Sequence, residues 1–391
     1  MLKDENFEFN IRTKTIFGAG TRVKLPVAML KLGFKQPGVV IDAGVTGNCQ
    51  VKEILNLLKK QFPGTLTWEY SLNAEPDYDS LDSYRNVFQQ KENGNVDVIV
   101  GIGGGSCMDF SKGLATLMTN PGPAREYRGF PENINDPLPV VAIPTTAGTS
   151  SEVTFNAVFT DKPAGKKLGI NTHKNFPVIA LLDPEITLDC PRGVSLGSGM
   201  DALVHCLESF VARQANSLTK CFAKEAFTHI FNHLATVIKE PSNMEARAHL
   251  LLGAYLAGIS LCNSGSGPSG ALSYPLGVMF NVPHGIGGGL FIAHVVKHNV
   301  QNGFNGYAEL YDCIDGAVQL PDLKAKSQAF VEKLFQLYQE TEVPQKLSTF
   351  GFNGYDLPGF MQEVEKLQGA FDQNPVSFTA ADAKKILEMM L

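Results

Sequence analysis

The chain has 391 residues, 44% of them hydrophobic and 18% charged, which is the usage of a compact globular protein and excludes a disordered or coiled-coil one. That length exceeds what one hydrophobic core usually supports, so two domains are expected. A net charge of −6 without a long Lys/Arg run excludes a surface that tracks nucleic-acid phosphates.

From the start, Met1-Leu2-Lys3-Asp4-Glu5-Asn6 shows no apolar segment behind a basic flank, and no later stretch approaches the roughly 18 apolar residues of a membrane span. A cytoplasmic protein with no membrane partner is the expectation. Seven cysteines, at 49, 107, 190, 206, 221, 262 and 313, are odd in number and never in C-x-x-C spacing, so they read as reduced small hydrophobes. Short apolar runs then alternate with amphipathic stretches. Val39-Val40-Ile41 ends at Asp42, the periodic residues 51–58 follow, residues 96–100 end at Gly101, and residues 140–143 end at Pro144. Ile179-Ala180-Leu181-Leu182 before Asp183-Pro184 reads as the last strand. This alternation predicts β-α-β units and a parallel sheet. After about residue 196 the spacing becomes three and four, as in Leu203, Val204, Leu207, Phe210 and Val211, which predicts helices.

Val98-Ile99-Val100-Gly101-Ile102-Gly103-Gly104-Gly105-Ser106 is a buried strand that ends in glycines and opens into a helix. Glycines let backbone N–H groups close on a pyrophosphate, and the helix N-terminus adds its dipole. The turn lacks both the G-x-G-x-x-G and the G-K-[ST] patterns, so tight strand–helix packing is an alternative reading. A second loop runs from Pro144 to Thr154 and contains six hydroxyl residues, able to bond a ribose, a phosphate or a carboxamide as well as to cap a helix. Asp42 stands where an acidic residue can meet a ribose hydroxyl and repel a 2′-phosphate, or where a plain turn residue sits. The fold class is therefore α/β: an N-terminal parallel-sheet domain with a candidate dinucleotide-binding turn over residues 1–190, followed by an all-helical domain over 191–391.

The segment from Ser198 to Glu208 begins with cap-type residues and continues with helical period. Asp201 and His205 share one face, a spacing that suits two ligands of one metal ion or an exposed hydrogen-bonded pair. His284 lies in Pro283-His284-Gly285, where a proline fixes the approach and glycines clear space. His173, His229, His233, His249, His294 and His298 lack such a setting.

Taken together and in this order, four motifs resemble the iron-containing, metal-dependent alcohol dehydrogenases: Gly103-Gly104-Gly105-Ser106 with Asp109 and Lys112; the loop from Pro144 to Glu152; Asp183-Pro184-Glu185 leading to Gly199-Met200-Asp201-Ala202 and His205; and Pro283-His284-Gly285. The resemblance implies a nicotinamide-dependent oxidoreductase that interconverts an alcohol and a carbonyl, with NAD preferred to NADP, one divalent zinc or iron ion, and a homodimer. It implies that Gly103, Gly104, Gly105 and Ser106 contact the pyrophosphate, that Asp109 belongs to the same site, and that Asp42 lies near the adenosine ribose. Thr145, Thr146, Thr149, Asn156 and Lys167 would line the rest of the nucleotide site, and Asp201, His205 and His284 match three metal ligands. The pattern departs at Gly270 and Tyr274, where the resembled family has a ligand histidine and a further active-site histidine. Three ligands plus water would leave an open position. Tyr274 becomes a candidate proton donor or substrate partner, and a glycine at 270 suggests room for a bulkier, polyol or sugar-derived alcohol. Two other classes remain: an NAD-using lyase or cyclase related to dehydroquinate synthase, and a metal-free nucleotide-binding protein with impaired catalysis.

Overall fold

The computed structural model describes residues 6–71, 76–90, 95–161, 163–164 and 166–391. Of the start of the chain read above, Met1–Glu5 lie outside the described residues. Two compact units are present: Ile11–Thr146 with Ser150–Cys190, and Pro191–Leu391 joined by Ala147–Thr149 and the described N-terminal residues 6–10.

The first unit is built on β1 (Lys14–Phe17), β2 (Pro37–Asp42), β3 (Leu66–Tyr70), β4 (Val98–Gly103), β5 (Val140–Pro144) and β8 (Ile179–Leu182). All pair in parallel, in the order β1-β8-β5-β4-β2-β3. A separate antiparallel hairpin, β6 (Val158–Asp161) and β7 (Lys166–Gly169), was not foreseen from the sequence. Helices α1 (Leu25–Lys31) and α2 (Cys49–Gln61) bury Met29, Ile54 and Leu58 against Val39, Ile41, Val100 and Ile102 on one face of the sheet. On the other face α3 (Tyr78–Phe88) and α4 (Gly105–Thr119) bury Leu81, Phe110 and Leu114 against Val40 and Ile99. Successive residues of β2 and β4 thus feed opposite cores, which is why those strands are apolar without interruption. At one edge Arg22 bonds Glu53 at 2.6 Å, Asp183 at 2.9 Å and Glu185 at 2.6 Å, tying the segment after β1 to α2 and to the turn after β8.

Among its described residues the second unit has helices as its regular elements: α5 (Arg192–Val211), α6 (Ser217–Lys239), α7 (Met244–Ser264), α8 (Pro268–Phe280), α9 (His284–Gln301), α10 (Ala308–Tyr311), α11 (Leu323–Thr341), α12 (Leu357–Val364), α13 (Gln368–Phe371) and α14 (Ala380–Met390). Helix α5 packs against α6, α7 and α9, and nearly its whole length from Ser195 is buried. Among the described residues no helix is long and apolar enough to cross a membrane. All seven cysteines are free thiols.

One half-buried group gives this unit a defined acid sensitivity. Burial, and secondarily Lys297, lowers the imidazole of His294 to about 4, and its Nδ1 has no hydrogen-bond partner. The folded chain keeps this ring neutral while the unfolded chain protonates it near 6.5, so its stabilising effect is complete above that value and is lost as pH falls toward 4. Urea unfolding should show about 2 kcal/mol of extra loss between pH about 7.5 and about 5. His294→Gln should remove that increment; an identical pH dependence in the variant would refute it.

Candidate active site

After β2 the chain moves outward to β3, then returns to place β4 on the other side of β2. The carboxyl ends of β2 and β4 therefore flank the point where strand order reverses, the usual ligand crevice of such sheets. Asp42 ends one strand and Gly103 the other. A Cβ on Gly103 would lie 2.6 Å from the Cβ of Cys107 and 2.8 Å from that of Asp42, so only glycine lets Asp42 stand this close to the root of α4. Helix α4 opens at Gly105 with Gly104 as its N-cap and with no side chain capping it. Its first N–H groups lack intrahelical acceptors, with Gly105 half-buried and Ser106 exposed, so they can receive an anion. The Thr145 N–H donates to Gly103 O at 2.9 Å, and the Thr146 methyl lies 3.5 Å from where a Cβ on Gly104 would stand.

The hydroxyl loop is pinned to α4 from below. Lys112 is completely buried, donates to Thr154 O at 3.1 Å and Asn156 O at 2.5 Å, and lies 3.5 Å from Asp109 Oδ1. Asp109 accepts from Ser151 Oγ at 2.5 Å and from the Val158 N–H at 3.0 Å. Expected at the nucleotide, Asp109 has both oxygens engaged in holding this loop. Asn156 donates to Asn171 at 3.2 Å, Lys167 lies opposite Thr160 in the hairpin, and Thr149 groups with the helical unit. Asp42 accepts from the Gly44 N–H at 2.8 Å through Oδ1. Sequence reasoning missed Glu152, whose buried carboxyl is pushed up to about 7 by desolvation, against the pull of its own backbone N–H and of Lys112. A single Glu among small hydroxyl residues gives no signal of burial.

In the helical unit α5 starts at Arg192 after Pro191, not at Ser198. Ser198 lies inside the helix with its hydroxyl donating back to Val194 O at 2.8 Å, so Asp201 and His205 sit on a helix already formed. Both are buried. His284 is the first residue of α9, and a Cβ on Gly285 would fall 2.1 Å from Gly197 O and 2.8 Å from the Asp201 Cβ. This glycine lets the start of α9 touch the backbone of α5 and so delivers His284 to Asp201. The Nε2 atoms of His205 and His284 lie 3.6 and 3.9 Å from the same oxygen, Asp201 Oδ1. Tyr274 on α8 has its ring 5.0 Å from that of His284.

Two residues to which the sequence reading gave no role complete this corner. Ser273 is fully buried, with its hydroxyl 2.6 Å from Gly270 O and 2.6 Å from His284 Nδ1. Glu208, one turn beyond His205, accepts from Ser266 Oγ at 2.8 Å and from the N–H groups of Gly267 at 2.7 Å and Ser269 at 2.5 Å, fixing the start of α8 on α5. Burial raises its carboxyl while these donors lower it. The space expected beside Gly270 is taken: a Cβ there would meet Ser266 Oγ at 2.7 Å and Glu208 Oε2 at 3.2 Å. The expectation of extra room for a sugar-derived alcohol loses its basis, because the glycine accommodates neighbouring side chains.

The donor set of one carboxylate and two imidazoles fits a divalent ion. Its separations of 3.6 and 3.9 Å are too long for hydrogen bonds and slightly longer than the roughly 3.4 Å edge of a tetrahedron with 2.1 Å bonds. Among the described residues no three His, Cys, Asp or Glu side chains stand close enough together to cage an ion as they are, so the trio would have to close up to hold one. His229, His233 and His249 form another cluster, but His229 Nδ1 meets His249 Nδ1 at 2.7 Å and His233 stacks on His249, so these rings do not converge on one point.

Comparison with known proteins finds family matches along both halves of the chain. Residues 12–184 match the iron-containing alcohol dehydrogenase family, and residues 195–391 match its C-terminal domain. A 1,3-propanediol dehydrogenase of Klebsiella pneumoniae is 31% identical over 74% of this chain and 74% of its own. An NAD-dependent methanol dehydrogenase of Bacillus methanolicus is 28% identical over 89% of this chain and 91% of its own. The structure of an alcohol dehydrogenase from Oenococcus oeni superposes with a TM-score of 0.91 at 26% identity, covering 99% of this chain and 100% of the other. With its two halves matched in full sequence order, the chain belongs to the iron-containing alcohol dehydrogenase family, oxidoreductases that interconvert alcohols and carbonyls.

Proposed function

We propose that this chain is an NAD(H)-dependent dehydrogenase of small alcohols, or reductase of the matching aldehydes, that works with one divalent ion, zinc or iron, at Asp201, His205 and His284. The observation that carries the reading is the approach of both imidazoles to the one buried oxygen, Asp201 Oδ1. When bound, the nicotinamide supplies the hydride acceptor and the ion supplies Lewis acidity toward the alcohol oxygen.

The side chains and backbone do the rest. The N–H groups of Gly104, Gly105 and Ser106 hold the pyrophosphate, and Gly103 keeps the turn tight enough for them to reach it. Asp42 accepts from the adenosine ribose hydroxyls and repels a 2′-phosphate, which favours NAD over NADP. Thr145, Thr146, Thr149, Asn156 and Lys167 line the remaining nucleotide surface. Asp109 and Lys112 serve it indirectly, by anchoring the loop that carries three of these residues. Tyr274 beside His284 relays the proton, its hydroxyl accepting the one from the alcohol oxygen as it gives up its own to water. The methanol and propanediol named for the relatives support a small substrate, as does the filled space at Gly270.

The test combines elemental analysis of protein purified without chelator with fluorescence titration by NADH and NADPH. About one zinc or iron per chain, lost in Asp201→Ala, together with tighter binding of NADH than of NADPH, is the expected result. NADH binding with no metal in the parent chain would sink the metal-assisted reaction and favour the metal-free reading; equal affinity for both nucleotides would sink the role of Asp42.

A further inference from the structure

We infer that Ser273 is a positioning residue that holds His284 in the tautomer with its proton on Nδ1, so that Nε2 turns a lone pair toward Asp201. The argument is a count of protons. The Ser273 hydroxyl has one proton and two close partners, Gly270 O at 2.6 Å and His284 Nδ1 at 2.6 Å. A carbonyl oxygen can only accept, so the hydroxyl proton goes to Gly270 O. The contact with His284 is then a hydrogen bond only if Nδ1–H donates into the serine oxygen. A neutral imidazole holding its proton there carries its lone pair on Nε2, the atom 3.9 Å from Asp201 Oδ1.

The packing makes this arrangement specific. Ser273 is fully buried. A Cβ on Gly287 of α9 would lie 3.0 Å from the Ser273 Cβ, so a glycine permits the close approach of α8 to α9 at this level. A donor set aimed at a cation needs this tautomer, and its outer hydrogen bond fixes the ring orientation as well as the basicity of the ligating nitrogen.

The metal side of the inference rests on the proposed function, whereas the tautomer is measurable without any metal. In metal-free protein labelled with 15N-histidine, long-range proton–nitrogen spectra above the ordinary imidazole titration range should show His284 with Nδ1 protonated and Nε2 bare, the signal being assigned by its loss in His284→Gln. Ser273→Ala should move the proton toward Nε2 and weaken zinc binding about 10–100-fold. Ser273→Cys, a poorer acceptor of the same shape, should fall between the two and serves if the alanine variant does not fold. A serine that only packed would lower the melting temperature and leave the tautomer alone. His284 protonated on Nε2 in the parent chain, or a tautomer unchanged in both variants, overturns the inference. A parent chain with the expected tautomer that binds no zinc overturns the metal reading and leaves the role of Ser273 standing.

Discussion

Gly285→Ala is expected to lower kcat/KM by roughly 100-fold or more and to empty the metal site, while NADH binds as tightly as in the parent chain. The added methyl would fall 2.1 Å from Gly197 O and 2.8 Å from the Asp201 Cβ, and neither can yield easily. Gly197 O belongs to the backbone of α5, which is held by α6, α7 and α9. The start of α9 must therefore retreat, and His284 retreats with it from an oxygen that is already 3.9 Å away. Overpacking of this kind typically costs about 1–3 kcal/mol, so a folded product should be recoverable for assay. Retained metal and activity would mean that the contact of α9 with α5 does not set the position of His284.

Gly103→Ala should do the converse: NADH affinity falls by about 100-fold or more, and metal content stays at the parent level. Its methyl would crowd Cys107 at 2.6 Å and Asp42 at 2.8 Å, forcing apart the strand end that presents Asp42 and the helix end that presents the N–H groups. Metal analysis and nucleotide titration of the two alanine variants form a crossed pair. Loss of both functions in each variant would contradict the assignment of nucleotide to one unit and metal to the other.

How far the sequence could be read follows from where each residue finds its partners. Strands β2, β4, β5 and β8 were legible because both of their faces are buried, which writes an unbroken apolar run. β1 was not, since Lys14, Thr15 and Phe17 are exposed at the edge of the sheet and the strand is only four residues long. β3 alternates half-buried and exposed residues at the other edge, and the hairpin β6–β7 is too short and too polar to stand out. At the site, the spacing of Asp201 and His205 is a local helical property and was visible. The role of Glu208 depends on N–H groups about sixty positions later in the chain, and that of Ser273 on a ring that belongs to the next helix. Gly270 shows the same limit from the other side: the gap implied by a missing side chain is filled by residues that only the fold brings there.

The order of the strands also constrains how the molecule is made. β8 lies between β5 and β1, yet β1 leaves the ribosome first, and its partner Ile179 follows Lys14 by most of the unit. At roughly 5–20 residues per second the gap lasts on the order of 10–30 s. Between the synthesis of Pro144 and that of Ile179, on the order of 2–7 s at the same rate, β5 is a temporary edge with every residue apolar and destined for burial, a strand that invites pairing with another chain. Closing so long a loop costs on the order of 4–5 kcal/mol in chain entropy, and the bonds of Arg22 to Asp183 and Glu185 form only when it closes. Nascent chains stalled before Ile179 should accordingly be the ones that chaperones hold, and release should coincide with synthesis of the short segment from Ile179 to Glu185.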